Sequence, residues 1–565
     1  MLDAKVATHK GGWHAWPWGL LGMAILVFLC LRLMLAGYPV QTGFPGSSGV
    51  LLDGGSRILH GQHPHQDFHT PIGFIYLFFV AVCLKLAHGL PHALALLSAG
   101  AGLVIGCWAW ALGRKRFAPA FAGLVAMTTG LIAASPAFFG YGPLAISYGG
   151  HYSRLSWSLL ILIILQAAMI TKTVSSARWR QFEHLITGVC LGLLAGTKFT
   201  FFGAAVGLLM VSWWFSRPSL ADLLLIIVGA LGTVLSGLWM SGASLIGYLH
   251  DCGGVSSTAS VGGLILQYRH NLDLLGLSLL VGVAWLLWSD QQVSSEPSLR
   301  RSLWEKYILS TTVLALGIVL SATDGIEEAS PGISIALLVL VGASRSGGDM
   351  TATRATSALI VCAAVFFSWS MRLGIPIVKG PYAAESHQAT IDNGPWHQLD
   401  FMPNVPAERV RESLVPCIMF PPLCVQDNAW FLYLQAGNDL LRGRVASQER
   451  VLSMDYINPF PYMLQLPPPL HDHLYWHFGR NIDKKSAPSA RELFTNVEWV
   501  MVPRMPILHG SVQPKMELYG AWISQHYVTA GENAWWQCWH IRPAGSAQES
   551  VLPSVPSESD HLQSH

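Results

Sequence analysis

Charge is what this chain of 565 residues has least of. Asp, Glu, Lys and Arg make up 12% of it, while 52% is hydrophobic. A soluble domain carries about 25% charged residues, so this chain is not an ordinary water-soluble protein. Its 34 basic and 32 acidic side chains nearly cancel, which leaves no broad basic face for a nucleic acid. The nine cysteines contain no C-x-x-C pair and no cysteine–histidine spacing of a zinc finger or ribbon. No G-x-G-x-x-G follows a strand, so a dinucleotide or nucleotide-sugar fold of the Rossmann kind is not expected. The first apolar run has no small-residue cleavage site and reads as a retained span rather than a signal peptide. No internal repeat is visible.

In place of charge there are apolar runs of membrane-crossing length. They cover residues 16–36, 71–89, 92–112, 118–136, 154–171, 185–214, 221–242, 273–288, 307–321, 332–343 and 355–371. The run at 185–214 is broken by Gly196-Thr197-Lys198, so the total is roughly eleven or twelve spans. The fold class expected is a polytopic α-helical membrane protein with a C-terminal α/β soluble domain. Residues 1–15, with Lys5 and Lys10, stay in the cytoplasm by the positive-inside rule. Residues 16–372 form the membrane domain, with a first outer loop at 37–71. Pro71 suits the first turn of a second span.

From Arg217 onward the basic residues alternate as that rule requires. Arg217, Arg300 to Lys306, Arg345 and Arg354 fall in cytoplasmic loops, and the loops 243–272 and 322–331 face outward. Earlier, Arg114-Lys115-Arg116 and Arg178/Arg180 fall on the outer side if every segment crosses once. Either one early segment is re-entrant, merged or misread, or these basic loops break the rule. Residues 373–545 are richer in Pro, Asp, Glu, His and Trp and read as an extracytoplasmic soluble domain. In it Arg450–Asp455 and Val497–Pro503 read as buried strands and Ala429–Arg442 as a helix. Cys417 and Cys424 either close a short disulfide loop, as an oxidising compartment permits, or stay buried thiols. The tail 546–565, rich in Ser, Pro and Glu, reads as disordered.

The one strongly polar loop among the early spans is Val50–Ile72. It holds Asp53, Asp67, Arg57, His60, His63, His65 and His69. Arg57 follows Asp53 by four residues, so on a helix the two share a face as base and phosphate binder, or as a plain ion pair. Asp67 is either functional or a cap for the helix starting at Pro71. His63 and His65 with Asp67 offer a weak set of ligands for a divalent metal, without the spacing of a closed zinc motif. Arg32, in the outer third of the first span, snorkels to headgroups or meets a lipid phosphate. Lys198 offers a second interfacial cation. Tyr148, His151, Tyr152 and Arg154 form another polar group, which joins the loop only if its own loop faces outward.

The pattern G-Q-x-P-H-x-D-F-x-x-P-x-G, after a first span and an acidic residue, resembles the GT-C superfamily of membrane glycosyltransferases. It is most similar to the dolichyl-phosphate-mannose–protein mannosyltransferases and the aminoarabinose transferase of lipid A. Asp53, Leu59, Gly61, Pro64, Asp67, Phe68 and Pro71 match the family's loop, with His65 where Tyr is common. Gly192–Thr200 resembles its G-L-A-x-x-T-K segment, and the strand at 497–503 resembles one in the outer domain of that branch. The family's acid two turns upstream has no counterpart, because Gly46, Ser47 and Ser48 stand there.

The resemblance implies a polyprenyl-phosphate sugar donor and a glycan, lipid or protein acceptor. It implies Asp53 and Asp67 as catalytic candidates, and Arg57, Arg32 and Lys198 as donor-phosphate ligands. His65, Tyr152 and Arg154 would line the substrate cavity. It implies an integral membrane protein of a bacterial inner membrane, in contact with lipid and not with nucleic acid. The competing classes are a transporter or lipid flippase, which would place charges mid-span or show repeats, and a non-catalytic protein whose outer domain binds a partner.

Overall fold

The computed structural model of the chain describes residues 16–36, 45–117, 119–137, 146–167, 177–258, 430–479, 481–504, 506 and 509–543, with scattered positions between 308 and 378. The expected spans at 273–288 and 332–343, the cysteines Cys417 and Cys424, and the tail 546–565 lie outside the described residues.

Ten helices come first: α1 (Trp16–Ala36), α2 (Pro45–Leu59), α3 (Phe74–Leu86), α4 (Ala93–Gly113), α5 (Pro119–Ala134), α6 (His151–Ala167), α7 (Ala177–Ala195), α8 (Phe199–Ser216), α9 (Leu220–Ser241) and α10 (Leu245–Thr258). The two-residue strand β1 (Phe68–His69) precedes α3. The helices start where the sequence favours it. Pro119 occupies the first turn of α5, a place that suits its fixed φ and missing N–H. Ser219 and Asp222 form a reciprocal capping box at α9. The run at 185–214 is two helices, α7 and α8, separated at Gly196-Thr197-Lys198. By length and composition, three described helices are apolar enough to cross a membrane: Pro17–Leu35, Ala93–Gly113 and Leu220–Ser241.

The segment expected as the second span behaves differently. Its helix α3 has 13 residues, about 20 Å at 1.5 Å per residue, against roughly 30 Å of hydrocarbon. Its start is tied to the α7–α8 turn, where Gly73 and Ile75 N–H donate to the Thr197 and Gly196 carbonyls at 3.0 and 2.8 Å. Just past its end, the Gly89 carbonyl accepts from Tyr462 Oη of the C-terminal domain at 2.7 Å. Both ends of α3 thus lie at the end of the bundle that the C-terminal domain caps. The helix lies on α2, where Gly54 and Gly55 allow the approach: a Cβ on either would stand 2.8 or 2.7 Å from Leu77 or Val80.

Without α3 as a crossing, α1, α4, α5, α6, α7, α8 and α9 alternate in direction. Every early basic segment then falls at one end. Arg116 forms a two-pronged pair with Glu183 at 3.1 and 3.0 Å, His184 faces Asp222 at 3.4 Å, and Arg114, Lys115, Arg178, Arg180 and Arg217 lie beside them. This resolves the conflict among the basic loops.

The C-terminal domain contains α11 (Trp430–Leu441), β2 (Val451–Ser453), α12 (Phe460–Leu464), β3 (Asp472–His473), α13 (Ala490–Leu493), β4 (Trp499–Pro503), α14 (His509–His526), β5 (Tyr527–Glu532) and β6 (Trp536–Ile541). A four-stranded sheet runs β2-β4-β6-β5, parallel between β2 and β4 and antiparallel elsewhere. Both strands and the helix expected there are present, each boundary within a residue or two. The core of the sheet includes Leu452, Val500, Val502 and Ile523. The short β3 leaves this sheet and pairs in parallel with β1, Phe68 opposite Asp472 and His69 opposite His473. The polar loop and the C-terminal domain thus share a strand pair.

Candidate functional site

Arg57 is the centre of that seam. It is fully buried. Its Nε donates to Asp53 Oδ2 at 2.9 Å, Nη1 to the Pro469 carbonyl at 2.9 Å, and Nη2 to Asp472 Oδ2 at 3.1 Å. Asp472 Oδ1 accepts from Trp476 Nε1 at 2.8 Å, and Gln62 Nε2 donates to the Pro468 carbonyl at 2.9 Å. Of the two roles open to Arg57, the structure places it in the ion pair, with its donors taken by protein. Asp53 is buried beside it, and burial raises its proton affinity, offset in part by Arg57. Asp53 Oδ1 is buried with no hydrogen-bond partner among the described residues.

A second cluster gathers around Asp251, on α10. Its Oδ2 faces His65 Nδ1 at 2.8 Å and its Oδ1 faces His69 Nδ1 at 3.0 Å. The Thr70 backbone N–H donates to Oδ2 at 3.1 Å. Burial alone would raise the pKa of Asp251, but the hydrogen bonds from His65 and His69 hold it well below the usual carboxylate range. The bond to Asp251 in turn raises that of His69. His473 packs against His69, ring centroids 5.3 Å apart, and burial pushes it down to about 3.

Asp67 turns inward on its own loop. It accepts the His63 backbone N–H at 2.7 Å and lies 3.2 Å from His63 Nδ1. It does not cap the following helix, which begins at Phe74 with Gly73 at its cap and no side-chain cap bond. The set His63, His65 and Asp67 is also split, because His63 pairs with Asp67 while His65 turns to Asp251. Among the described residues no group of three or more His, Cys, Asp or Glu is arranged to hold a metal ion.

The third cluster joins α3, α6 and the α7–α8 turn. Lys198 Nζ donates to Ser153 Oγ at 2.6 Å and lies 5.0 and 5.2 Å from the ring centres of Tyr152 and Phe201. Tyr76 Oη bonds His151 Nδ1 at 2.9 Å. Arg154 donates to the Ala137 and Ser147 carbonyls at 2.8 and 3.2 Å, holding the segment before α6 in place. Tyr148 N–H donates to Ser48 Oγ at 3.1 Å, so this loop stands beside α2 at the domain end. Arg32 stands apart from these groups in its contacts, donating to the Val378 carbonyl at 3.1 Å.

Of the residues foreseen from sequence, Asp53 and Arg57 fall in the first cluster, His65 in the second and Lys198, Tyr152 and Arg154 in the third, while Asp67 pairs with His63 on its own loop. Asp251 and Asp472 were not foreseen. Their signal was slight: each is an acid flanked by histidine (His250-Asp251, His471-Asp472-His473) in a segment expected to face outward.

Comparison with known proteins returns no matching family model and no matching curated protein. Among solved structures, similar chains are found at low sequence identity. ArnT from Cupriavidus metallidurans bound to undecaprenyl phosphate matches over 95% of this chain and 100% of its own, at 10% identity and a TM-score of 0.47. The archaeal oligosaccharyltransferase AglB from Archaeoglobus fulgidus, in complex with an inhibitory peptide and a dolichol-phosphate, matches over 96% and 76% at 12% identity and a TM-score of 0.38. At these scores no residue correspondence is taken from either.

Proposed function

We propose that this chain is an integral-membrane glycosyltransferase, moving a sugar from a polyprenyl-phosphate carrier to an acceptor hydroxyl at the domain end of the bundle. That end faces the extracytoplasmic side, and the opposite, basic end faces the cytoplasm. The observation that carries the reading is Lys198. It is a cation at the domain end of an apolar bundle, beside Ser153 and the rings of Tyr152 and Phe201. A lipid-borne phosphate rising between the helices meets a charge there that favours it.

In the transfer, the acceptor oxygen attacks the anomeric carbon and the bond from that carbon to the phosphate oxygen breaks. The polyprenyl phosphate leaves with the electron pair, its charge met by Lys198 and, nearer the end of α1, by Arg32. The acceptor proton passes to a carboxylate. Asp53 is our assignment for that base, through Oδ1, the oxygen that Arg57 does not occupy. A buried carboxylate with raised proton affinity is a better base than an exposed one. Arg57 fixes the orientation of Asp53 rather than binding phosphate. The acceptor is a glycan, lipid or protein hydroxyl.

The test is transfer in reconstituted vesicles from undecaprenyl phosphates carrying a radiolabelled hexose. Lys198→Met and Asp53→Asn are each expected to lower kcat/KM by about 10²–10³-fold, the usual loss for one charge-stabilising group. Undiminished transfer in both variants refutes the assigned roles. Movement of the lipid-linked sugar across the bilayer with no transfer refutes the reaction.

A further inference from the structure

His65 is held with unusual firmness for a loop residue. Its backbone is left-handed, φ 63°, a conformation uncommon outside glycine, though His adopts it more readily than most residues. Its N–H donates to the Phe68 carbonyl at 2.9 Å, closing the turn. Its carbonyl presses on α10 at Gly247, where a Cβ would stand 1.9 Å from the oxygen. Only glycine permits that approach. Asp251, one turn along α10, then receives His65 Nδ1 at 2.8 Å.

This contact determines what the far side of the ring does. An ionised carboxylate at Nδ1 keeps the proton there, so in the neutral ring Nε2 is an acceptor with an open lone pair. Nε2 is buried and has no hydrogen-bond partner among the described residues. A buried polar atom left without a partner costs free energy. The ring lies 4.7 Å from that of Tyr248, and Tyr248 lies 6.3 Å from Phe199. Phe199 adjoins Lys198. Two aromatic rings, Tyr248 and Phe199, thus lead from His65 to the residue next to the cation assigned to the donor phosphate, and a sugar is bonded directly to that phosphate.

We infer that His65 Nε2 accepts a hydrogen bond from a hydroxyl of the donor's sugar, and that Asp251 is the positioning residue that makes it an acceptor. The inference rests on the transferase reading for the location of the phosphate. It concerns recognition of the sugar and assigns His65 no bond-making step.

The experiment measures binding of undecaprenyl phosphate to the full-length protein, bare and carrying glucose, mannose or galactose. His65→Asn is the main variant. Asparagine tolerates the left-handed backbone and keeps an N–H toward Asp251, but has no atom at Nε2. Its thermal unfolding serves as the control for folding. Wild type should bind at least one glycosylated lipid more tightly than the bare one. That preference should shrink about 3- to 10-fold in His65→Asn, the worth of one neutral hydrogen bond, with bare-lipid binding unchanged. His65→Gln, which carries a polar group nearer the Nε2 position, should recover part of it. A wild type with no preference, or a His65→Asn protein that keeps it, overturns the inference. Transfer assayed on the same preparations separates the two claims. Transfer with the preference intact in His65→Asn removes only His65, and preference without transfer removes only the reaction.

Discussion

Arg57 illustrates what a single side chain discloses about itself. Its pairing with Asp53 was legible four residues away, because that spacing shares a helix face. Its second acid, Asp472, was not, since 415 residues separate the two and no local pattern spans a domain border. A buried guanidinium between two carboxylates is worth less for net stability than for geometry, because desolvation offsets most of the attraction. Removing one partner is another matter. Arg57→Met leaves two buried acids uncompensated, and the expected loss is about 3–5 kcal/mol, read as a lower unfolding midpoint in detergent. The triple variant Asp53→Leu, Arg57→Met, Asp472→Leu should recover most of that stability while losing transfer. A triple variant as unstable as Arg57→Met would show that the seam depends on the charges themselves. Asp251 escaped the sequence for the same reason as Asp472: its partners His65 and His69 lie 186 and 182 residues away.

Among the elements, α3 shows where hydropathy misleads. Phe74–Leu86 is as apolar as any span, and Pro71 precedes it, so the sequence reads as a crossing. Tyr76, Leu77, Val80, Ala81 and Leu84 are buried, but by protein, chiefly α2, α4 and α9. Composition does not distinguish a helix buried in protein from one buried in lipid. The clue lay in the basic loops, which contradicted one another until α3 ceased to cross. Cysteine labelling checks this directly. In a cysteine-free background, Lys85→Cys and Lys484→Cys should react with an impermeant maleimide from one face of sealed vesicles, and Arg217→Cys only from the other. Lys85→Cys reacting from the Arg217 face would restore α3 as a span. Helices α1, α4 to α9 and α11 and the strands β2 and β4 were legible because their apolar runs, caps and turn residues are local, whereas α2 and α10 lie in stretches that read as outer loops.

For the whole molecule, the join between loop and C-terminal domain is rich in ionisable groups, and its pH dependence follows from their directions. His69 is raised above its ordinary 6.5 by Asp251. Its contribution is present below 6.5 and lost as pH rises through its folded value. His473 is lowered to about 3 by burial, so the protein loses stability as pH falls from 6.5 toward 3. Asp251, held below its ordinary value, adds a further loss beneath about pH 4. Thermal unfolding should therefore peak between about pH 6 and 7. His69→Gln should flatten the alkaline side, and His473→Phe the acid side. A profile unchanged by both would mean that the join does not limit unfolding.

The same join has a consequence in time. Arg57 leaves the ribosome 415 residues before Asp472, roughly 20–80 s at ordinary elongation rates. Through that interval Arg57 lacks its second carboxylate. The join closes last, so a chain interrupted before residue 472 leaves the Arg57 face of α2 uncovered.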